Sequence, residues 1–373
     1  MFRLRDREMA EKILDKISGM DLHLTLMHVC GTHQDTLVRF GLQKRLEEVN
    51  VDIRQGPGCP VCVTIPQEID EIMALASAGK IITAFGDALK VPGTKGSLFS
   101  AKSEGADVRI VYGIDDAVGI ARKERGREIV FFAIGFETTA PTTAAALISD
   151  PPDNFRVLST HRIMPPALKA IAEMGEIKLD GLIQPGHVST IIGTKPYTFL
   201  SRDFGIPQVV AGFEPLDLLM AVYMIARQVK SGKAEVQNEY SRVVREEGNP
   251  KALTMLDQVF ENTDVAWRGF PVIPGSRLDL RSEFDRWDAR KIYSDIIDKM
   301  DYSEYVKEKG CICGKLLRGL GTPEDCPLFG KRCTPENPVG PCMVSREGSC
   351  NISYKYGKLE IERKNINTGF LKT

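Results

Sequence analysis

The sequence lacks any apolar run long enough to cross a membrane. The longest uninterrupted apolar stretch in its 373 residues is LLMAVYMIA at 218–226, about half the length that a membrane-spanning helix needs. The amino terminus, MFRLRDREMAEKILDKI, is charged throughout and has no apolar segment of the kind that a secretory signal requires. We therefore expect a cytoplasmic protein that makes no use of a membrane.

An excess of charge of either sign is also missing. Lysine and arginine number 49, aspartate and glutamate number 50, and the formal net charge is -1. Proteins that bind nucleic acid or anionic lipid through an extended surface carry a basic excess, so we expect neither partner. A hydrophobic content of 43% is ordinary for a globular chain, and the length favours more than one domain.

Cysteine is absent from residues 63–310, although the chain has nine cysteines. Three precede this gap, and six follow it within 40 residues: Cys311, Cys313, Cys326, Cys333, Cys342 and Cys350. A reducing compartment does not favour structural disulfides, and cysteines that serve only packing would be spread more evenly. The clustering therefore indicates chemistry, either redox or metal binding.

Short β-branched segments alternate with helical ones from residue 21 to about residue 231. The predicted strands are 24–29, 51–56, 81–86, 108–113, 129–136, 155–160, 180–185 and 207–212. The predicted helices are 34–48, 66–78, 115–125, 138–148, 165–175, 188–193 and 214–231. Such alternation is typical of parallel sheets covered by helices. We interpret the polar segment 231–250 as a helical connection.

We predict an α/β fold with two doubly wound parallel-sheet domains plus a small Cys-rich iron–sulfur domain. The predicted division is an N-terminal helix at 1–20, an α/β domain at 21–137 with Cys30, Cys59 and Cys62, a second α/β domain at 138–235, and a C-terminal cluster domain at 236–373.

Thiols follow the first two predicted strands directly. CGTHQDT (30–36) places Cys30 and His33 between a strand and a helix, and GPGCPVC (56–62) places Cys59 and Cys62 after the next strand. Open α/β sheets bind ligands at the carboxyl ends of their strands, and a helix N-terminus lowers the pKa of a thiol. The alternatives are a buried cysteine beside a helix cap and one half of a zinc site.

A carboxylate and an imidazole occupy the same kind of position. Glu137 in GFETTAP follows strand 129–136, and His187 in PGHVSTIIG follows strand 180–185. Taken singly, each also has a plain structural interpretation, as a helix cap and as a loop histidine. Their shared position at strand ends favours a site.

The cysteine-rich tail, CICGKLLRGLGTPEDCPLFGKRCTPENPVGPCMVSREGSC, contains no histidine, since none follows His187. A metal site there would have thiolate ligands only. Zinc held by four thiolates usually shows two C-x-x-C pairs, which the tail lacks. The irregular spacing favours an iron–sulfur cluster over zinc, and six thiols leave two that could form a dithiol beside it.

Five segments taken together resemble the HypD family of hydrogenase maturation factors. They are MHVCGTHQDT, GPGCPVCVTIP, GFETTAP, PGHVSTIIG and CPLFGKRCTPENPVGPCMVSREGSC, in this order between about residue 25 and about residue 356. The resemblance implies a scaffold for the Fe(CN)2CO group of [NiFe]-hydrogenases. Such a scaffold shares the iron, as transient cargo, with the small chaperone HypC and accepts cyanide from HypE.

The resemblance also implies residue roles. Cys30 would bind the iron, and Cys59 and Cys62 would form a redox dithiol beside it. Our own hypothesis is that His33, Glu137 and His187 orient the thiol, a partner or an incoming ligand. A [4Fe-4S] cluster, arranged as in ferredoxin–thioredoxin reductase, would have the ligands Cys311, Cys326, Cys333 and Cys350, with Cys313 and Cys342 as the adjacent dithiol. Electrons would pass from the tail through the two dithiols to the iron.

Two other functions use the same residues. One is an iron–sulfur-dependent protein disulfide reductase without bound iron cyanide. The other is a structural protein whose tail is held by zinc and whose early cysteines are inert. Whether the chain is itself an enzyme is left open by the sequence.

Overall fold

The computed structural model describes residues 4–299 and 310–357. Its strands are β1 Leu24–His28, β2 Val51–Gln55, β3 Ile81–Ala84, β4 Val108–Ile110, β5 Ile129–Gly135, β6 Phe155–His161, β7 Gly181–Pro185, β8 Gln208–Ala211, β9 Val236–Asn238, β10 Phe260–Ala266 and β11 Val272–Leu280. All eight predicted strands are present, because β-branched runs between turn residues are a strong local signal.

The helices before the cysteine-rich tail are α1 Arg7–Ser18, α2 Gly31–Arg39, α3 Leu42–Glu47, α4 Pro60–Val63, α5 Pro66–Ser77, α6 Leu98–Ser103, α7 Ile114–Lys123, α8 Ala140–Ile148, α9 Met164–Met174, α10 Gly186–Ile192, α11 Thr198–Phe204, α12 Pro215–Lys230, α13 Pro250–Val259, α14 Ala289–Ile292 and α15 Ser294–Ile297. In the tail they are α16 Cys313–Leu316 and α17 Pro341–Val344, and residues 349–357 are also helical.

Parallel pairing builds two sheets. The first sheet has the order β2-β1-β7-β8-β9 and the second has the order β4-β3-β5-β6, with every pairing parallel. β10 and β11 form a separate antiparallel hairpin, and β11 packs on β6 of the second sheet. The predicted α/β fold with two parallel sheets and a Cys-rich C-terminal region is confirmed.

The second sheet is inserted into the first along the chain. β1 and β2 start the first sheet, β3 to β6 form the second, and β7 to β9 return to complete the first. The boundary predicted at residue 137 falls between β5 and β6, which pair along their whole length. The sheets therefore divide the chain differently, because local sequence cannot show that β7 pairs with the distant β1.

Three local expectations are corrected by the structure. Segment 231–250 is no helical connection, since it contains β9, which pairs with β8. The helix predicted at 34–48 breaks at Gly41, whose φ of +68° separates α2 from α3. The region after residue 236 is not one cluster domain, because α13 packs on α8 and β11 packs on β6, so that the cysteine-rich part begins near residue 310.

The amino-terminal helix α1 covers the first sheet. The Asp6 side chain accepts a hydrogen bond from the Met9 N–H at 3.1 Å and caps the helix. Its buried face, Ile13, Leu14 and Ile17, packs on α12. None of the helices in the described part of the chain is long and apolar enough to cross a bilayer.

Candidate thiol and metal site

The pairing of β1 with β2 brings Cys30 beside the C-x-x-C loop. His28 is paired with Gln55 at the ends of the two strands, so the segments that follow start next to each other. A Cβ atom on Gly58 would lie 2.2 Å from the backbone nitrogen of Cys30, which means that the two backbones are in direct contact there. The following Cys59 and Cys62 form a disulfide with their Cα atoms 5.2 Å apart.

Burial dominates the acidity of Cys30. The residue is 8% exposed, and burial raises the pKa of its thiol to about 11, against the opposing effect of the Thr32 and His33 N–H groups at the start of α2. The start of the helix does lower this pKa, as expected, but desolvation outweighs the helix and the net pKa of the free thiol is raised. A bound metal ion would reverse this balance, since a coordinating thiol loses its proton.

A chain of hydrogen bonds supports the backbone of Cys30. The buried His28 ring accepts from the Cys30 N–H through Nδ1 at 3.5 Å, so its Nε2 carries the proton and donates to Gln34 Oε1 at 2.7 Å. Burial lowers the pKa of His28 to about 4, so the ring is neutral. This pairing fixes both the tautomer and the orientation of the ring.

An aromatic stack connects His33 with His187. The buried His33 lies 5.1 Å from the Phe213 ring centre, and the exposed His187 stacks on Phe213 at 3.8 Å. His33 donates from Nε2 to the Gly212 carbonyl at 3.0 Å, which leaves its buried Nδ1 without a partner. Burial lowers the pKa of His33 to about 3. The two predicted histidines, His33 and His187, thus pack on the same Phe213 ring and are linked only through it.

Glu137 reaches the same region from the second sheet. It is 2% exposed, its Oε1 accepts from the Met164 N–H at 2.8 Å, and its Oε2 has no partner. Burial raises the pKa of this carboxyl to about 7. The fully buried Tyr197 interacts electrostatically with both Glu137 and Cys30; burial is the main cause of its raised pKa and these two groups add to it. Tyr197 therefore lies near enough to both residues for their charges to act on it.

The tail closes over these strand ends. A Cβ atom on Gly31 would lie 2.4 Å from the Cβ of Glu347, so only glycine permits this contact beside Cys30. Cys62 Sγ lies 3.9 Å from the carbonyl oxygen of Pro341, at the start of α17. The disulfide therefore lies against the segment that carries Cys342.

Two hydrogen bonds attach the tail to segments that follow one strand of each sheet. The Tyr356 hydroxyl donates to Asp35 Oδ1 at 2.9 Å on α2. The Arg346 N–H donates to Asp87 Oδ2 at 3.3 Å, in the segment after β3. The tail thus bridges the two units where their strands end.

Five of the six tail cysteines line one small cavity. Its lining consists of Cys311, Cys313, Cys326, Cys333, Cys350, Leu316, Leu328, Phe329, Gly340 and Met343. The cavity volume is only about 10 Å³, so the side chains around it are closely packed. The thiols crowd one another: a hydrogen bond with Cys313 is the first cause of the raised pKa of both Cys311 and Cys350.

The thiols of this cavity are the donor type that an iron–sulfur cluster takes. Among residues 4–299 and 310–357, no three His, Cys, Asp or Glu side chains meet closely enough to hold one metal ion. In a [4Fe-4S] cluster each thiolate binds a different iron, so the ligands surround a space instead of meeting at a point. Five thiols in an otherwise apolar wall match that requirement. Cys342 does not line the cavity, whereas Cys313, predicted as its dithiol partner, does.

The sequence analysis did not identify several residues of this region. Phe213 and Tyr197 are ordinary core types, and only their positions after β8 and after the PGHVSTIIG segment could have marked them. Gln34 lies inside the CGTHQDT segment, but its amide side chain is neither titratable nor nucleophilic. Glu347 gave no signal, because its contact with Gly31 joins distant parts of the chain.

Comparison with known proteins identifies similar chains along nearly the whole length. Residues 6–357 match the HypD family model, described as "Hydrogenase formation hypA family". A putative hydrogenase expression/formation protein of Methanocaldococcus jannaschii is 49% identical over 368 residues, covering 96% of this chain and 100% of that protein.

Two bacterial proteins carry the same family name. The hydrogenase maturation factor HypD of Cupriavidus necator is 42% identical over 371 residues, covering 95% of this chain and 96% of that protein. The one from Rhizobium leguminosarum bv. viciae is 42% identical over 380 residues, with 97% of each chain covered.

Proposed function

The chain belongs to the HypD family of hydrogenase maturation factors, and from this premise we propose that it is the scaffold on which the Fe(CN)2CO group of a [NiFe]-hydrogenase is assembled. One observation carries the proposal. Cys30, the Cys59–Cys62 disulfide and the cysteine-rich tail converge where the strands of the first sheet end.

Cys30 is the proposed ligand of the cargo iron. Low-spin iron with cyanide and CO is soft, so a thiolate suits it. The thiol gives up its proton on binding iron, since its pKa of about 11 keeps it protonated otherwise. His28 and His33 are neutral and add no positive charge that would oppose the iron. We propose that His33, Glu137 and His187 orient the thiol or an incoming group.

Thiol–disulfide exchange would let the tail reduce the Cys59–Cys62 disulfide. Cys313 and Cys342 as a dithiol can attack the Cys59–Cys62 disulfide; one disulfide forms as the other breaks, and two electrons and two protons move to Cys59 and Cys62. The contact between Cys62 and Pro341 supports this route, because Pro341 directly precedes Cys342.

The proposed ligands of the [4Fe-4S] cluster are Cys311, Cys326, Cys333 and Cys350, all of which line the tail cavity. Such a cluster supplies one electron at a time. The chain's own part is to surround that space with thiols, to keep water out with Leu328, Phe329 and Met343, and to hold α17 against the disulfide.

The partners that we propose are a small chaperone of the HypC type, which shares the iron, and a cyanide donor of the HypE type. The competing disulfide reductase is less well supported, because both cysteines of the Cys59–Cys62 disulfide are 0% exposed and an external protein disulfide could not reach them. Exchange inside the chain needs no such access.

Infrared spectroscopy of the anaerobically purified complex with the small chaperone tests the iron ligand. We expect cyanide–iron bands in the wild-type complex and a complete loss of these bands with Cys30→Ala. The control is Ser103→Ala, an exposed position on α6 outside the site. Cyanide–iron bands that persist in a folded Cys30→Ala complex would contradict the role of Cys30.

A further inference from the structure

The turn between β10 and β11, residues 267–271, contacts both the disulfide loop and the tail, and the proposed function gives it no role. We call it the hairpin turn. The Phe270 N–H donates to the Trp267 carbonyl at 2.8 Å and closes the turn. Trp267 is 1% exposed, and its indole N–H donates to Ser276 Oγ on β11 at 2.9 Å. These bonds fix the conformation of the hairpin turn, so it can hold other segments in place.

Arg268 of the hairpin turn bonds to the end of the disulfide loop. Its backbone N–H donates to the Val63 carbonyl at 2.8 Å, and its Nε donates to the Thr64 carbonyl at 3.0 Å. The Thr64 hydroxyl in turn donates at 2.9 Å to the carbonyl of Pro60, inside the C-x-x-C motif. The last carbonyls of a helix as short as α4 have no partner within it. Arg268 supplies their donors and a positive charge that a helix C-terminus favours.

The guanidinium of Arg268 also reaches a second segment. Its second donor, Nη2, bonds to the Pro92 carbonyl at 3.2 Å, in the segment between β3 and α6. A guanidinium presents its N–H groups in a rigid fork, whereas a lysine ammonium is a point charge on a flexible stem. Arg268 therefore fixes the end of the disulfide loop relative to the second sheet in a way that lysine would not reproduce.

The other side of the hairpin turn touches the tail. A Cβ atom on Gly269 would lie 2.4 Å from the Cα of Gly314, so the two backbones are in direct contact. Gly314 directly follows Cys313 in α16. A hydrogen bond with Cys313 and burial raise the pKa of Cys311, and the positive charge of Arg268 opposes them. The hairpin turn thus stands between the loop that carries the inner disulfide and the start of the cysteine-rich tail.

The hairpin turn also packs against the segment that carries Glu137. Trp267 stacks on Phe136 with the ring centres 5.7 Å apart, and Phe136 directly precedes Glu137. Phe270 belongs to the same buried apolar core as the inner disulfide and Cys342. Three segments of the proposed site therefore rest on one rigid turn.

We propose that the hairpin turn holds the Cys59–Cys62 disulfide and the tail thiols in register for exchange, with Arg268 as the positioning residue. This inference rests on the proposed function. A tail thiolate attacks the Cys59–Cys62 disulfide and forms a mixed disulfide, which the second tail thiol then resolves. Cys313 and Cys342 end as a disulfide, and two electrons and two protons end on Cys59 and Cys62. Such a step is fast only when the reacting atoms are held close together and aligned.

The test follows reduction of the Cys59–Cys62 disulfide in the full-length, anaerobically purified protein. Dithiothreitol at a saturating concentration supplies the electrons, and alkylation with mass spectrometry measures the free thiols of both cysteines over time. We expect Arg268→Met to slow the reduction by about tenfold to a hundredfold, because a misplacement of roughly 1 Å has an effect of this size. Arg268→Lys should slow it by about threefold, the effect of one lost hydrogen bond.

Two further variants separate positioning from a general loss of stability. Arg281→Met is the matched control, since Arg281 lies at the other end of the same hairpin and its Nε donates to the Asp257 carbonyl at 2.7 Å. It should reduce at the wild-type rate. Cys342→Ala removes one exchanging thiol and should itself slow the reduction. Adding Arg268→Met to Cys342→Ala should change nothing more, whereas a purely structural effect would appear in both backgrounds.

The outcomes distinguish this inference from the relay on which it rests. A wild-type rate in Arg268→Met beside a slow Cys342→Ala would overturn the role of Arg268 alone. A wild-type rate in Cys342→Ala would overturn the relay and this inference with it. Equal slowing by Arg281→Met would also overturn the inference, because the rate would then follow the stability of the hairpin. If Arg268→Met does not fold, Arg268→Lys takes its place in each comparison.

Discussion

The thiols before and after the cysteine-free segment 63–310 are held in place by different means. Cys30 and the Cys59–Cys62 pair stand at the ends of β1 and β2, two paired strands of a five-stranded parallel sheet. Backbone contact at Gly58 fixes their spacing. The hydrogen bonds of the sheet and its packing hold this arrangement, so it does not depend on a bound metal.

The tail thiols have little regular structure to hold them. α16 and α17 have four residues each, and the turns between them contain no paired sheet strand. A segment of this size cannot bury enough apolar surface by itself, and such segments are commonly stabilised by a metal centre. The difference teaches that one thiol set is built by the fold, whereas the other would gain order from the cluster that we propose.

The largest expected effect comes from removing one proposed cluster ligand. Cys333→Ala should abolish the iron, the labile sulfide and the visible absorption of the anaerobic protein, and should speed hydrogen exchange across 310–357 while β1 and β2 keep their protection. Cys342→Ala is the matched control, since Cys342 does not line the cavity and should leave the cluster in place.

Metal analysis of the same samples decides between the two kinds of centre. Zinc without labile sulfide in the wild-type protein would contradict the cluster. Retention of the full iron content by Cys333→Ala, with loss of it by Cys342→Ala, would reverse the assignment of the six thiols.

A smaller expected effect is a pH dependence of stability that comes from Glu137, in the strand-end region and not in the tail. Burial holds the pKa of Glu137 at about 7, above its usual 4.5. The native carboxyl therefore keeps a proton that the unfolded chain releases, and stability is lost as the pH rises from 4.5 to 7. The expected loss is about 3 kcal/mol. Urea unfolding across this pH range should show that Glu137→Gln loses about 3 kcal/mol less than wild type does. Glu239, whose pKa burial also raises to about 7, makes its own contribution to the pH dependence in both proteins.

The opposite end of the same strand offers a control for Glu137. Burial disfavours the charge of Glu128, but Lys80 outweighs burial and lowers the pKa of Glu128. The stability that the charged Glu128 contributes is present above the pKa of the unfolded chain and disappears only at more acidic pH. Glu128→Gln should therefore keep the wild-type change in the free energy of unfolding between pH 4.5 and 7. A Glu137→Gln protein with the wild-type decline would show that the carboxyl ionises freely.

The strand-end thiols were more predictable from sequence than the tail. Cys30, Cys59 and Glu137 follow strands whose pattern is local, and parallel sheets place such positions at one edge. The insertion of the second sheet and the pKa of Cys30 were not predictable in this way. Both depend on packing between distant segments: β7 returns to β1, and Glu347 covers Gly31.

The smallest of these effects tests how firmly the tail sits on the strand ends. In Gly31→Ala the new Cβ would lie 2.4 Å from that of Glu347, so the tail must shift, at a cost of about 1–3 kcal/mol. Gly119→Ala on α7 is the matched control, because nothing lies within 4 Å of its added Cβ. Alanine there should stabilise the helix by about 0.5–1 kcal/mol.

Urea unfolding measures both changes, and hydrogen exchange at residues 343–350 locates the first. If Gly31→Ala is as stable as wild type and its tail exchange is unaltered, the tail does not rest on the Cys30 turn, and the two thiol sets act apart. If only the tail loses protection while β1 and β2 keep theirs, the strand-end thiols hold their arrangement without the tail, as their origin in the sheet requires.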